Sequence, residues 1–230
     1  MTTKILLYAF LTGFSLILGV ILGTTLKFSQ KIIAAIMAFG SGVLICALTF
    51  GLMEEAFKHG GFDAIIIGFL LGGLVFIFGD FLIHKYGGRN HKRKKHFKSI
   101  RGTNGKAIVL GSLLDGVPES MALGVTLLSK NGIGLLMLVA IFLSNLPESL
   151  SSINDLQKEG LSKKQIYLSW SIVSICVALS VVLSFLFLEK LDLNTLGIIE
   201  SFASGAILAD SMMPEAYEEG GYLIGILTIL

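Results

Sequence analysis

The sequence predicts an all-α integral membrane protein, and three observations lead to that fold class. Of 230 residues, 53% are hydrophobic and only 15% are charged. The mean hydropathy of +0.81 is too high for a soluble domain, which needs more polar surface. Apolar runs of about 20 residues, the length that crosses a bilayer, follow one another along the chain. The expected helices, eight with the last cut short, cover about 4–25, 32–53, 63–84, 107–128, 133–154, 165–188, 195–216 and 221–230.

We expect residues 1–230 to form a single transmembrane domain with one strongly basic connection at 85–106. An excess of Lys and Arg marks the cytoplasmic side of a membrane protein. If the first helix runs from outside to inside, most of the 18 Lys and Arg lie in inner connections. The residues left outside are Lys4, Lys58, Lys130 and Lys190. The sequence therefore predicts a multi-pass protein of the cell (plasma) membrane, with both termini outside and loop 85–106 in the cytoplasm.

Two of the apolar segments each carry a Pro-Glu-Ser motif near the middle. The first is Pro118-Glu119-Ser120, and Pro147-Glu148-Ser149 repeats it 29 residues later. A carboxylate at the centre of a bilayer costs roughly 2.5 to 3.5 kcal/mol, so neighbouring carboxylates indicate a charge that they neutralise. In a soluble protein the same motif would only begin a helix, but the flanking residues are too apolar for a solvated loop. We interpret the neutralised charge as a metal cation.

Each proline also exposes a backbone oxygen beside its glutamate. Pro118 has no N–H for the carbonyl of Leu114, and Pro147 has none for the carbonyl of Leu143. Side chains four positions apart share a helix face, so further oxygen ligands are expected around both glutamates. The candidate metal ligands near the midplane are Asp115, Glu119, Ser144, Asn145, Glu148 and Asp210. An all-oxygen set favours Mn²⁺, Mg²⁺, Ca²⁺ or Fe²⁺, although carboxylates also bind Zn²⁺; a paired structural carboxylate is the alternative for Asp210.

The second and seventh segments resemble each other. Phe39-Gly40-Ser41-Gly42 matches Phe202-Ala203-Ser204-Gly205, and both segments continue to an acidic end. Because these two helices cross in opposite directions, the pattern predicts an inverted repeat of three, two and three helices. In transporters with such repeats, the substrate site lies near the midplane at the repeat interface. The small residues interpreted as close-packing positions are Gly40, Ser41, Gly42, Gly72 and Gly73.

Together these motifs resemble those of the ZIP (Zrt-, Irt-like) family of divalent metal transporters. The resemblance rests on the runs at 115–119, 145–148 and 209–216, and it covers nearly the whole chain. It implies an eight-helix ZIP-like bundle that acts as a secondary transporter of divalent cations by alternating access. Zinc is the family's default substrate.

The resemblance also implies roles for individual residues. Glu119 and Glu148 match metal-bridging glutamates, Ser144 and Asn145 fall on ligand positions of the fifth helix, and Asp210 falls on an acidic position that often helps to bind a second ion. In the family the fourth helix typically reads His-Asn-x-Pro-Glu-Gly. Asp115 therefore stands in place of the histidine, which leaves manganese or iron as substrates beside zinc.

Other function classes remain as alternatives. One is a cation channel, or a metal-sensing membrane protein, with the same fold. A remote one is an intramembrane aspartyl protease, which needs two facing Asp, such as Asp80 and Asp115. Ile77 stands where such a protease has glycine, and the glutamates would be unexplained. We expect no enzyme activity and no prosthetic cofactor, because the divalent cation is the substrate. The expected partners are metal ions and the lipid bilayer, with a homodimer as the candidate assembly and no nucleic acid.

Overall fold

The computed structural model describes residues 2–26, 28–86, 105–128 and 132–226, and every regular element in these ranges is helical. A π-helical turn, Leu48–Leu52, joins the second α-helix to the third without a gap. The expected basic loop at 85–106 falls mostly outside the described residues. The α-helices are α1 (Thr2–Thr25), α2 (Gln30–Ala47), α3 (Met53–Tyr86), α4 (Gly105–Thr126), α5 (Ile133–Lys158), α6 (Lys163–Leu188) and α7 (Leu193–Ile226).

Several of these helices are long and apolar enough to cross a membrane. In the described ranges they are Thr3–Thr25, Lys31–Leu82, Ile133–Lys158 and Lys163–Leu188. The second stretch has 52 residues, more than twice the length of about 20 that one crossing needs. Its helical geometry breaks at Gly61, where φ is +66° and ψ is −162°. This break falls between the expected spans 32–53 and 63–84, and the chain is therefore a helical, multi-pass membrane protein.

The C-terminal part differs from the expectation of two separate helices at 195–216 and 221–230. The described backbone is one helix, α7, of 34 residues. Ala216, Glu218 and Glu219 are good helix formers, and Gly220 and Gly221 can adopt helical geometry, so local propensity does not end the helix here. Seven α-helices are therefore described, and the arrangement of eight helices stays a prediction.

Polar residues in the short connections determine where three of the helices begin. The Ser29 hydroxyl accepts a hydrogen bond from the backbone N–H of Ile32 at 3.3 Å, before α2. Ser162 and Gln165 form a reciprocal capping box before α6. Asp192 accepts bonds from the N–H and the hydroxyl of Thr195, which hold the pKa of this exposed carboxyl below its usual range. Loss of one such cap typically frays the first turn of a helix.

The contacts between helices match when α1 is exchanged with α6, α2 with α7, and α4 with α5. α1 packs on α5, and in the same way α6 packs on α4. α2 also packs on α5, and in the same way α7 packs on α4. α1 also contacts α6, and α4 contacts α5. The contacts of α1 and α2 thus match those of α6 and α7, and the full inverted repeat of three, two and three helices stays a prediction.

α3 and α7 form the closest pair, because their backbones touch at glycines. The Cα of Gly72 lies against the carbonyl of Phe202, and the Cα of Gly205 lies against the carbonyl of Phe69, so a methyl group at either glycine would overlap its neighbour. The expected close-packing role of Gly72 is therefore confirmed. Gly42 has open space around it, and its expected close-packing role is wrong.

The buried apolar residues are distributed unequally between the two ends of the bundle. The end at which α1 begins is called the N-terminal end, and the end at which α3 finishes and α4 begins is called the basic end. At the N-terminal end one apolar cluster unites six α-helices and the π-turn. We call it the N-terminal plug, and it contains Ile5, Tyr8, Ala9, Leu44, Ala47, Leu48, Leu52, Ala122, Leu123, Leu127, Met137, Leu138, Ala140, Ile141, Val181, Phe185, Ala203 and Ile207.

At the basic end the apolar core is divided. One cluster, centred on Trp170 with Leu16 and Leu156, involves only α1, α5 and α6 among its buried members. A separate cluster holds Phe76 of α3 and Ala206 of α7. The group α1, α5 and α6 is thus joined to α2 and α7 by apolar packing mainly at the N-terminal end.

Candidate metal site

The α4 ligands predicted from the sequence are buried near the middle of that helix. Asp115 is 7% exposed and Glu119 is 4% exposed. The two carboxylates are four positions apart and lie on one face of α4. Carboxylates buried to this degree in a membrane helix are typical of a functional site.

Both Pro-Glu-Ser motifs use their serine in the same way. The Ser120 hydroxyl donates to the carbonyl of Gly116 at 2.5 Å, and the Ser149 hydroxyl donates to the carbonyl of Asn145 at 3.1 Å. In both motifs the acceptor is four residues earlier, an arrangement that often bends a helix. Each serine lies two positions after the proline of its motif. Pro118 leaves the carbonyl of residue 114 without an N–H donor, and Pro147 does the same for residue 143. The two motifs therefore have matching local chemistry on two contacting helices.

The Pro147 motif of α5 is enclosed by glycines of two neighbouring helices. Gly19 of α1 lies against the carbonyl of Leu146 and the Ser149 hydroxyl. Gly40 of α2 lies against Leu143, and a methyl group there would be 2.6 Å from the Leu143 carbonyl oxygen. This is the oxygen that Pro147 leaves without a donor. The absence of side chains at both glycines allows α1 and α2 to approach the backbone of the Pro147 motif directly.

Asn145 is the most informative polar residue of the site. It is 1% exposed, and neither Oδ1 nor Nδ2 has a hydrogen-bond partner within the described part of the chain. Burying an amide without partners costs about 1 to 3 kcal/mol in proteins, so such a group is rarely left unsatisfied. An amide oxygen is a good ligand for a hard cation. The chemistry of Asn145 therefore fits the predicted metal ligand.

The other predicted ligands are partly buried. Ser144 and Glu148 lie on α5, and Asp210 lies on α7, which contacts α4. Across the described residues, His, Cys, Asp and Glu side chains do not converge in any group of three or more that could hold a metal ion. The described structure therefore places the predicted ligands on contacting helices without closing them around one point. The full ligand set stays a prediction.

A polar stripe leads from the site along α5 towards the basic end. Its members are spaced three or four positions apart, so they share one face of the helix. Burial decreases along it, from partly buried residues at the midplane to Asp155, whose side chain is 62% exposed. The stripe consists of Ser144, Glu148, Ser151 and Asp155. The other half of α5, beginning at Ile133, is apolar.

One buried polar contact was not predicted from the sequence. His59 of α3 and Glu200 of α7 are joined by a hydrogen bond of 2.9 Å between Nδ1 and Oε2, and Glu200 is 2% exposed. Glu200 is an acidic residue inside an apolar segment, and this feature of the sequence could have identified it as a candidate functional residue. Its partner could not be read from the sequence, because His59 is 141 positions away.

Comparison with known proteins gives one informative similarity. No protein-family model matches the chain. A protein of Arabidopsis thaliana described as a "putative zinc transporter" is 28% identical to it over 188 residues. Those residues make up 78% of this chain but only 29% of the relative's length, so the chain spans less than a third of that relative. Over most of its own length, this membrane protein is therefore similar to a protein described as a metal transporter.

Proposed function

We propose that this chain is a secondary transporter that moves divalent metal cations across the cell membrane. The buried amide of Asn145, with no partner among the described residues, is the observation that carries the proposal. It lies three positions from Glu148, and α5 packs against the helix that carries Asp115 and Glu119. In this proposal Glu119 and Glu148 bridge the cation, and Asn145, Ser144, Asp115 and Asp210 supply further oxygen ligands. The similarity to a described zinc transporter supports the same function.

The distribution of apolar residues favours a carrier over a channel. A channel requires a continuous hydrated path, but the N-terminal plug joins helices from both sides of the site with apolar side chains. Among the described residues, the polar stripe on α5 extends from the proposed site towards the basic end. A site closed at one end by apolar packing is what an alternating-access carrier would have in one of its two end states, and this supports the proposal. From the distribution of Lys and Arg, we infer that the basic end faces the cytoplasm and the N-terminus lies outside. The described α7 runs from the outer end towards the basic end, so an outer C-terminus depends on the eighth crossing, which stays a prediction.

Flux into proteoliposomes tests the proposal directly. The full chain is reconstituted, and initial uptake of Zn²⁺ and of Mn²⁺ is measured against concentration and against membrane potential. Uptake that saturates at low metal concentration is the result expected of a carrier. Uptake that rises linearly and follows the potential would show a channel instead, and binding without uptake would show a metal sensor.

The identity of the residue at position 115 should set the choice of metal. Replacing Asp115 with histidine adds an imidazole, a ligand that suits Zn²⁺ better than Mn²⁺. We expect Asp115→His to raise the ratio of zinc to manganese uptake by on the order of tenfold. Asp115→Asn is the matched control, since it keeps an oxygen ligand without adding imidazole. If the ratio is the same in the wild type and Asp115→His, residue 115 does not bind the cation.

A further inference from the structure

Residues 48–60 form a short helical piece bounded by two changes of backbone geometry. The π-turn Leu48–Leu52 begins it, and Gly61, with φ of +66°, follows its last residue. A π-turn is often found at functional sites, and a left-handed φ is accessible mainly to glycine. Segment 48–60 is therefore set apart from α2 and from the rest of α3 by a change of backbone geometry at each of its ends.

This segment contributes to the closure of the N-terminal end. Leu48 is 4% exposed, and Leu52 and Ala56 are fully buried. Leu48 and Leu52 are members of the N-terminal plug, together with residues of α4, α5 and α6. A rotation of segment 48–60 would remove these two side chains from the plug.

The far end of segment 48–60 is fastened to α7. Beside the hydrogen bond between His59 and Glu200, the backbones meet at Gly60 and Gly197, where a methyl group on Gly197 would be 2.9 Å from the amide nitrogen of Gly60. Among the described residues, the His59 side chain hydrogen-bonds to Glu200 alone, and this bond is well shielded, since the Glu200 side chain is 3% exposed. This pair therefore holds the segment in the position that closes the plug.

The charged groups around the pair make its protonation state important. Glu55, one turn before His59, is also buried, at 5% exposure, and its carboxylate lies 3.3 Å from the Lys58 ammonium. Lys58 also pairs with Glu54 at 2.7 Å. The remaining charged groups at this end of the described structure are exposed, and they are Lys4, Asp63, Glu189, Lys190 and Asp192. Lys58 compensates only one of the two glutamates, so the local charge is already negative when the pair is neutral and becomes more negative when the pair loses its proton.

We propose that His59 and Glu200 form a proton-binding site that latches segment 48–60 onto α7. With one shared proton the pair is neutral, either as imidazolium with carboxylate or as imidazole with carboxylic acid. Loss of that proton leaves a net negative charge buried beside Glu55, which is costly. Where the latched pair keeps its proton and the separated groups would lose theirs, the latched form holds one proton more than the released form. Lowering the pH favours the latch, and raising the pH through the titration range of the pair releases it.

Hydrogen exchange of the full chain in lipid nanodiscs tests this latch without any metal or flux. Protection of peptides covering residues 48–60 is measured at about pH 6 and about pH 8 and is corrected for intrinsic exchange. In the wild type we expect protection to fall by on the order of tenfold between the two pH values. Peptides around Trp170 of α6 are the internal reference, and their corrected protection should not change.

Two variants separate the latch from a merely structural contact. Glu200→Gln retains a side-chain amide that can donate to Nδ1 of neutral His59 but binds no proton, so the segment should stay protected at both pH values. His59→Ala removes the bond, so protection should be low at both. If wild type and Glu200→Gln lose protection equally, or if neither does, the proposal is wrong. This outcome does not depend on whether the chain transports metal.

Discussion

Replacement of Glu148 with glutamine is expected to reduce metal uptake by at least about a hundredfold, and Glu119→Gln should do the same. Both substitutions preserve the size of the side chain and remove a negative charge. One bridging carboxylate then remains instead of two. Because the bound cation has given up its hydration shell, it needs both negative charges to be stable in the site, and binding becomes much weaker. Uptake of Zn²⁺ and Mn²⁺ in proteoliposomes, normalised to the reconstituted protein, is the measurement.

The matched control for this prediction is Asp155→Asn. It makes the same acid-to-amide change on the same face of α5, but at an exposed position where Asp155 pairs with Lys158 at 2.9 Å. Exposed pairs of this kind contribute about 0 to 1 kcal/mol, so uptake should remain within a few-fold of the wild type. If Glu148→Gln retains half of the wild-type uptake, or if Asp155→Asn is equally impaired, the cation does not bind where we propose.

Replacement of Gly40 with alanine is expected to abolish most of the uptake and to lower the melting temperature of the purified protein. The added methyl would lie 2.6 Å from the Leu143 carbonyl oxygen and 3.3 Å from the Cα of Ser144. These neighbours are backbone atoms, which cannot rotate away as a side chain could, so α2 must move away from α5. That displacement alters both the packing at the N-terminal end and the position of Ser144 in the site.

Gly42→Ala is the matched control for Gly40→Ala. Both substitutions are in α2, and both favour the helix by about 1 kcal/mol through the higher propensity of alanine. The new methyl at position 42 would meet no atom within 4 Å. Gly42→Ala should therefore retain wild-type uptake and an equal or higher melting temperature, measured by fluorescence-detected size exclusion after heating. Similar behaviour of the two variants would contradict the packing of α2 on α5 described above.

These two glycines also illustrate what the sequence could and could not predict. The Gly40-Ser41-Gly42 pattern indicated close packing, but positions two apart on a helix are about 200° apart around its axis, so both cannot face one neighbour. Only the tertiary structure shows that Gly40 is the one that faces α5. The lengths of the apolar runs predicted most helix bounds within a few residues, because crossing a bilayer imposes a minimum length. The continuation of α7 could not be predicted in this way, since neither Pro214 nor two glycines must end a helix.

The candidate metal site could likewise be predicted from the sequence only in part. Buried carboxylates and the oxygen atoms beside them could be predicted from Pro118-Glu119 and Pro147-Glu148, because charge inside an apolar segment needs a partner. The role of the serines follows only from the observed bonds to the carbonyls of Gly116 and Asn145. The pairing of His59 with Glu200 depends on contact between helices distant in sequence, about which local patterns contain no information.

The contact between α3 and α7 has a consequence for how the protein is made. Chains are synthesised from the N-terminus, and His59 precedes Glu200 by 141 positions. α3 therefore enters the bilayer when more than half of the chain has not yet been made. Until α7 arrives, the glycine face of α3 around Gly72 contacts lipid, and His59 lacks its carboxylate partner. Completion of the fold thus waits for the last described helix, so a chain that stops before α7 would leave α3 inserted without its main partner and open to membrane quality control.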